Sequence, residues 1–209
     1  SFVKLGQLLS TRPDLIGEEL AKALCGFQDN LPPFSQKKVR KALEKELGPN
    51  YAAAFLEFNY NPVAAASIAQ VHKAKIWLKE AKKEQDVAVK ILRPKIVRII
   101  RRDIATLRML AKIVSIFSGF LAQTFRDIAD LLSDVSRSEL DLLREAANAS
   151  RLKEDLHDVK GFYVPQIFWA FSAREILVME WLEGIPFSNE TAIKNSPFIK
   201  FSNCSLSIF

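Results

Sequence analysis

The run NPVAAASIAQVHKAKIWLKEAKKEQDVAVKILRP, Asn61 to Pro94, decides how the rest of the chain is read. Two segments in it, IAQVHKAKIWL (68–78) and DVAVKILRP (86–94), are apolar and rich in strand formers. The charged KEAKKEQ between them (79–85) reads as a hairpin loop. Ahead of the hairpin, Ala64, Ala65, Ala66 and Ser67 stand where a phosphate-wrapping loop usually carries glycine. Such a loop needs close approach of backbone N–H groups and some positive φ angles. Two readings follow: a nucleotide loop of another geometry, or a small-residue turn between strands. In the second strand, alternation puts Val87, Val89 and Ile91 on one face and Ala88, Lys90 and Leu92 on the other. A lysine beside a small residue on a strand can hold phosphate oxygens while the alanine lies under a base. A four-residue match of this kind is also common in ordinary core strands.

Outward from the hairpin, the chain reads as helices on both sides. Residues 2–26 are helical with a break at Arg12-Pro13, because the residue before proline is pushed out of α geometry. NLPPFS (30–35) is a second break. Ser35 can cap QKKVRKALEKELG, which stops at Gly48-Pro49, and YAAAFLEF (51–58) reads as a short helix. Beyond the hairpin, Lys95 to Leu156 turns helical, with 103–113 and 128–152 the most periodic parts. YVPQIFWAFS (163–172) and EILVMEWLEG (175–184) supply two more strands, and the residues after them show no period.

Composition bounds the partners. The 209 residues suffice for one domain or two small ones, and 49% apolar with 26% charged residues is ordinary for a globular protein. Cys25 and Cys204, with His72 and His157, follow no zinc-ligand spacing, and free thiols are the simplest reading. A net charge of +6 permits a nucleotide, an anionic membrane or a nucleic acid and selects none of them. Much of the excess lies in RPKIVRIIRRD (93–103), read as a solvated helix face. Aromatic residues are not interleaved with these arginines as a stacking platform would require, which counts against a nucleic-acid partner. The apolar IVSIFSGFLAQTF (113–125) is too short to span a membrane, for which roughly 20 residues are needed. It is read as a core helix rather than an interfacial one.

Three further patterns carry chemistry. In SELDLLREAANAS (138–150), a continuous helix would put Asp141, Glu145 and Asn148 on one stripe, suited to pairing a lysine or to a solvated acidic face. Glu139 would lie about 200° from Asp141, at ~100° per residue, so both serve one site only if the helix start is irregular. KLGQ places Lys4 and Gln7 on one helix face, with Gly6 allowing close approach of another backbone. ILVMEWLEG turns polar at Glu180, as a strand leaving a sheet does.

In order, KLGQ, FQDNLPP, PVAAASIAQVHKA, VAVKILRP, ELDLLREAAN and VMEWLEG resemble the UbiB family of atypical kinase-like proteins of ubiquinone biosynthesis. The resemblance covers roughly Lys4 to Pro186. It implies an α+β fold, a protein-kinase-like N-lobe of antiparallel sheet and helices behind a family-specific helical extension. The extension would occupy 1–58, the lobe with its inserted helices and hinge 59–186, and an irregular tail 187–209. By the same resemblance, Val63, Ala64, Ala65, Ala66, Ser67, Ile68, Ala69, Gln70 and Val71 form the nucleotide loop. Lys90 contacts phosphate and pairs with Glu145 on the helix equivalent to the kinase C helix. Lys4 and Gln7 belong to the helix covering the active site, opposite the carboxylates Glu139 and Asp141. Met179 is the gatekeeper, and the backbones of Glu180 and Leu182 reach adenine. Asn59 departs from the aspartate usual before the loop.

The resemblance implies ATP or ADP with Mg²⁺ as cofactor. It also implies ubiquinone-biosynthesis proteins and lipid or quinone intermediates as partners, an anionic membrane surface as a further one, and a cytoplasmic or membrane-peripheral location. Kinase-type transfer needs a catalytic-loop Asp, an Asn and a metal-binding Asp after the hinge. Residues 185–209 hold no aspartate. The expectation is therefore a nucleotide-binding lobe without the C-lobe, with no metal position retained and catalytically incomplete. The alternative is a non-catalytic fragment that docks on lipid-synthesis partners or an anionic membrane.

Overall fold

The computed structural model describes residues 6–7, 9–24 and 32–184. The expectations for Lys4, Cys25, Cys204 and the tail lie outside the described residues. The helical lead-in is α1 (Pro13–Ile16), α2 (Glu18–Leu24) and α3 (Gln36–Leu47). Pro13 opens α1, where its missing N–H costs nothing. Gly48 closes α3 at φ 88°, a conformation that favours glycine. Ser35 stands at the N-cap of α3, but its side chain makes no capping hydrogen bond.

The sheet is antiparallel, in the order β1–β3–β4–β5, with β2 also paired to β3. Its strands are β1 (Glu57–Phe58), β2 (Ala64–Ala65), β3 (Ala69–Leu78), β4 (Lys83–Leu92) and β5 (Ile176–Glu180). Three sequence expectations need correction here. YAAAFLEF is not one helix: a 3₁₀ turn, Tyr51–Ala54, gives way to β1. Phe55 turns into the core there, and the Leu56 N–H pairs with the Lys75 carbonyl. The hairpin loop is shorter than read, because Lys83 already pairs with Leu78 and the turn closes through Lys82 at φ 49°. YVPQIFWAFS is not a strand. It meets β5 by a bridge between Ile167 and Met179 and then forms a 3₁₀ turn, Trp169–Phe171. Pro165, with no N–H, cannot extend that ladder.

Helices α4 (Ile96–Val114), α5 (Gly119–Glu139) and α6 (Leu142–Asp155) complete the described chain. The periodic stretch 128–152 is two helices, not one. The Leu142 N–H bonds the Arg174 carbonyl and its side chain is buried, so the chain must turn at Leu140-Asp141 to bring α6 onto the sheet. The apolar 113–125 is not a core helix either: it forms the tip of the α4–α5 hairpin, with Ile116, Phe117 and Phe120 exposed.

The sheet has unlike faces. Ala74, Ile76, Val87, Val89, Ile91 and Val178 bury one face against Val39 and Leu43 of α3, with Phe34 and Phe55. Opposite, α4, α5 and α6 pack Ile96, Ile100, Leu132, Leu142 and Ala146 around Leu92 and Leu177 at the end of the sheet. The rest of that second face stays half open, and the candidate site lies there.

A buried polar chain ties the lead-in to the first face. The Phe34 N–H donates to Gln70 Oε1 at 3.0 Å, and Gln70 Nε2 lies 2.8 Å from His72 Nε2. His72 Nδ1 lies 2.8 Å from the Asn59 carbonyl, which can only accept. Nδ1 therefore carries the proton, and Nε2 accepts from the amide. Burial pushes the His72 pKa below 6.5, partly offset by the bond to Asn59. Folding thus favours the neutral ring. Above pH 6.5 both folded and unfolded rings are neutral. As pH falls through 6.5 the unfolded ring takes a proton that the folded one resists, so stability declines until the folded-state pKa is reached. Urea midpoints should fall between pH 7 and 5. In His72→Gln, less stable throughout, this slope should flatten; an unchanged slope would assign it to other groups.

Candidate functional site

Cross-strand partners project from the same face of a sheet. The register pairs Ala64 with Val71, Val71 with Lys90, and Lys90 with Leu177. It also pairs Lys73 with Ala88 and Ala88 with Met179. Val71, Ala88, Lys90 and Met179 therefore sit together on the half-open face. Val71 and Ala88 offer a flat apolar floor, with Met179 to one side and the lysine to the other. Lys73, also on this face, is paired with Asp86 at 3.0 Å and lies 5.0 Å above the Trp181 ring.

Lys90 Nζ donates to both carboxylate oxygens of Glu145, at 2.7 and 2.9 Å. About a quarter of each side chain is exposed, 20% for Lys90 and 26% for Glu145, so the pair stands at the edge of solvent. A bidentate contact holds the ammonium at a fixed height above the face while leaving it a free donor position. Glu145 and Asn148 also line a cavity of about 420 Å³ with Leu152, Phe162, Leu177 and Met179.

The alanine loop is a β2–β3 hairpin. Ala66 N–H bonds the Ala69 carbonyl, and no residue from Ala64 to Val71 has positive φ. The loop therefore makes its turn in conformations open to alanine. Its members differ: Ala64 is exposed, while Ser67, Ala69 and Gln70 are buried. The Gln70 amide is engaged with Phe34 and His72 and faces away from the half-open side.

At the end of β5, Glu180 Oε2 accepts from Tyr163 Oη at 2.7 Å and from the Gln166 N–H at 3.2 Å. The bond from Tyr163 to this carboxylate pushes the tyrosine pKa up. Among the described residues the ladder ends with Trp181 N–H donating to the Asp86 carbonyl, and Leu182 stands exposed beyond it.

The acidic stripe is not continuous. Glu139 ends α5, and Asp141 is extended (φ −128°, ψ 92°) at the N-cap of α6. Asp141 lines a different cavity from Glu145, of about 480 Å³, with Arg101, Arg137, Arg144, Arg174 and Glu175. Its Oδ2 lies 3.4 Å from Arg174 Nε. Its Oδ1 is buried with no hydrogen-bond partner among the described residues. Gln7 is half-buried and its carbonyl accepts from Ser10 Oγ.

One residue was missed by reading the basic run as a solvated face. Arg93 Nε donates to the Ala66 carbonyl at 2.9 Å and Nη2 to the Pro32 carbonyl at 3.0 Å. Its own N–H bonds the Ile68 carbonyl at 2.7 Å, and burial pushes its pKa down. One guanidinium thus fastens the loop turn to the lead-in. The signal available was Pro94, which ends a strand just where an arginine can fold back on its neighbours.

The profile of the ABC1 atypical kinase-like domain matches residues 26–202. The probable protein kinase UbiB of Azotobacter vinelandii is 39% identical over 195 residues, covering 92% of this chain and 35% of that protein. Its counterpart in Marinobacter nauticus is 38% identical over 197 residues, covering 93% and 35%. The chain spans about a third of the length of the curated relatives it matches. The solved Rv3197–erythromycin complex from Mycobacterium tuberculosis is 34% identical, with a TM-score of 0.61, covering 88% of this chain and 45% of that one.

Replacing Arg93 by Met should free the loop turn, cost about 2–3 kcal/mol in urea unfolding, and speed exchange of the Ala66 amide. Arg93→Lys should rescue little, because a compact ammonium does not span two separated carbonyls as the planar fork does. Full rescue by lysine would reduce the role to charge alone.

Proposed function

This chain belongs to the ABC1 atypical kinase-like family, and on that premise we propose that it forms the nucleotide-binding half of a UbiB-like ATP-dependent protein supporting ubiquinone biosynthesis. The observation that carries this reading is the bidentate Lys90–Glu145 pair, standing on the sheet face that the core leaves half open. A partly buried ion pair contributes little net stability. It holds a cation ready for an anion.

In this reading the adenine lies on Val71 and Ala88 beside Met179, and the backbones of Glu180 and Leu182 meet its edge. The Lys90 ammonium, steadied by Glu145, donates to phosphate oxygens. The loop Val63–Val71 closes over them, and its methyl groups keep the backbone farther from phosphate than glycine would. Gln7 of the extension serves the same site as Glu139 and Asp141 in this reading. Mg²⁺ needs oxygen ligands beside the phosphates. The carboxylates of this face do not fit that need, since Glu145 is held by Lys90 and Asp86 by Lys73. The lobe's proposed part ends at binding and orienting the nucleotide.

The substrates in this reading are lipid or quinone intermediates. These dissolve in membranes, and in this reading the protein works beside an anionic bilayer and the other proteins of the pathway. Among the described residues no helix is long and apolar enough to cross a membrane.

A fluorescent adenine nucleotide titrated into the chain should bind. Lys90→Ala should weaken binding about ten- to a hundredfold, as expected for loss of a charged hydrogen bond. Ala88→Phe should abolish it by filling the floor, without touching the ion pair. Equal binding by all three folded proteins, or by none, would favour the non-catalytic docking fragment instead.

A further inference from the structure

The α4–α5 hairpin is anchored at one end and bare at the other. Ile96 and Ile100 of α4 and Leu132 of α5 are buried in the core, and the two helices pack along each other. From Ile100 to the end of α4 at Val114 the helix rises about 21 Å, at ~1.5 Å per residue. At that far end Ile116, Phe117 and Phe120 are 78%, 85% and 81% exposed, and Met109, Ile113 and Leu121 about half. Contiguous exposed apolar side chains of this size mark an interaction surface.

We propose that this tip is a membrane-seating knuckle, whose apolar side chains enter the interface of a bilayer with anionic headgroups. The inference deepens the membrane-surface part of the proposed function and does not depend on the nucleotide half-site.

Two observations favour lipid over a protein partner. The first is charge. From Met109 to Arg126 the chain holds no carboxylate, and Lys112 and Arg126 flank the apolar tip, while Arg108 below them is paired with Asp130 at 3.0 Å. Cations bordering a bare apolar end match a surface of phosphates above hydrocarbon.

The second is backbone satisfaction, which matters most where no water is present. The N–H groups of Ser115, Ile116, Phe117 and Ser118 bond the carbonyls of Ala111, Ile113, Val114 and Val114. The Leu121 N–H bonds Ser118 Oγ, and the Ala122 N–H bonds the Ser118 carbonyl. The hydroxyls of Ser115 and Thr124 donate to the carbonyls of Lys112 and Phe120. The turn thus keeps most of its polar groups paired within itself, and its outward faces are hydrocarbon. Such a turn can enter the bilayer interface without stranding these backbone groups.

The test is flotation of the full chain with vesicles of phosphatidylcholine alone, or mixed with phosphatidylglycerol. Beside it run Phe117→Ser/Phe120→Ser and a Phe117→Trp reporter. The expected result is binding to the mixed vesicles only, weakened by salt and cut at least tenfold in the double variant. The tryptophan emission should shift to the blue on binding and be quenched by lipids brominated on their chains. The double variant, changed only at exposed positions, should melt like the parent and bind nucleotide unchanged, so the two readings fail separately. No binding to either vesicle, or binding indifferent to the double substitution, overturns the proposal. Self-association abolished by the double variant without vesicle binding would instead assign the tip to a second copy of the chain.

Discussion

The Lys90–Glu145 ion pair joins helix to sheet at the candidate site, and the rest of that face is arranged around it. Lys90 projects from the C-terminal half of β4, flanked by β3 and β5, so its Cα is set by ladders on both sides. Glu145 lies one turn into α6, whose start is pinned by the Leu142 N–H on the Arg174 carbonyl and by the buried Leu142 and Ala146. With both partners positioned by backbone and core, the pair needs little side-chain ordering of its own. The geometry also runs in reverse. Drawing Glu145 away would open the cavity behind Met179 and Leu177, so helix position and the shape of the face change together.

The alanine-rich hairpin shows how a loop without glycine can still be held. Glycine earns its usual place by tolerating positive φ and close approach. Here the turn needs no positive φ, and close approach is given up. What fixes the loop is external. The Arg93 guanidinium bonds carbonyls of the turn and of the lead-in, and the Gln70–His72 chain locks the same lead-in from the opposite face of the sheet. The lead-in is therefore part of the loop's support, and Phe34 and α3 share one core with the strands.

Strand alternation was the most legible feature. VAVK divides into a buried and a half-open face as its period of two requires, because both neighbours of β4 are strands and no bulge intervenes. Helix periodicity misled where tertiary packing cut across it. A continuous wheel over 128–152 grouped Asp141 with Glu145, but the chain turns at Leu140 to bury Leu142, an event with no local breaker to announce it. In 113–125 an apolar composition pointed to the core, and only the hairpin's projection decided otherwise. Arg93 was hidden for a similar reason: its partners are Ala66 and Pro32, far away in sequence and visible only as carbonyls.

The break before α6 also changes what Asp141 can be. On a continuous helix it would share the Glu145 side and compete for Lys90. At the N-cap it turns instead to the cavity between α4, α5 and the Arg174 turn, where four arginines gather. One of its oxygens meets Arg174 at a long 3.4 Å, and the other is buried without a partner among the described residues. A buried carboxylate oxygen left unsatisfied is costly, and a purely structural N-cap would have aimed it at the first-turn N–H groups. Asp141 makes no such side-chain bond. Together with Glu139 two residues earlier, at the end of α5, it puts two carboxylates on either side of a helix junction rather than along one face. That irregular start is the condition under which both can serve one site, and a continuous helix would have denied it.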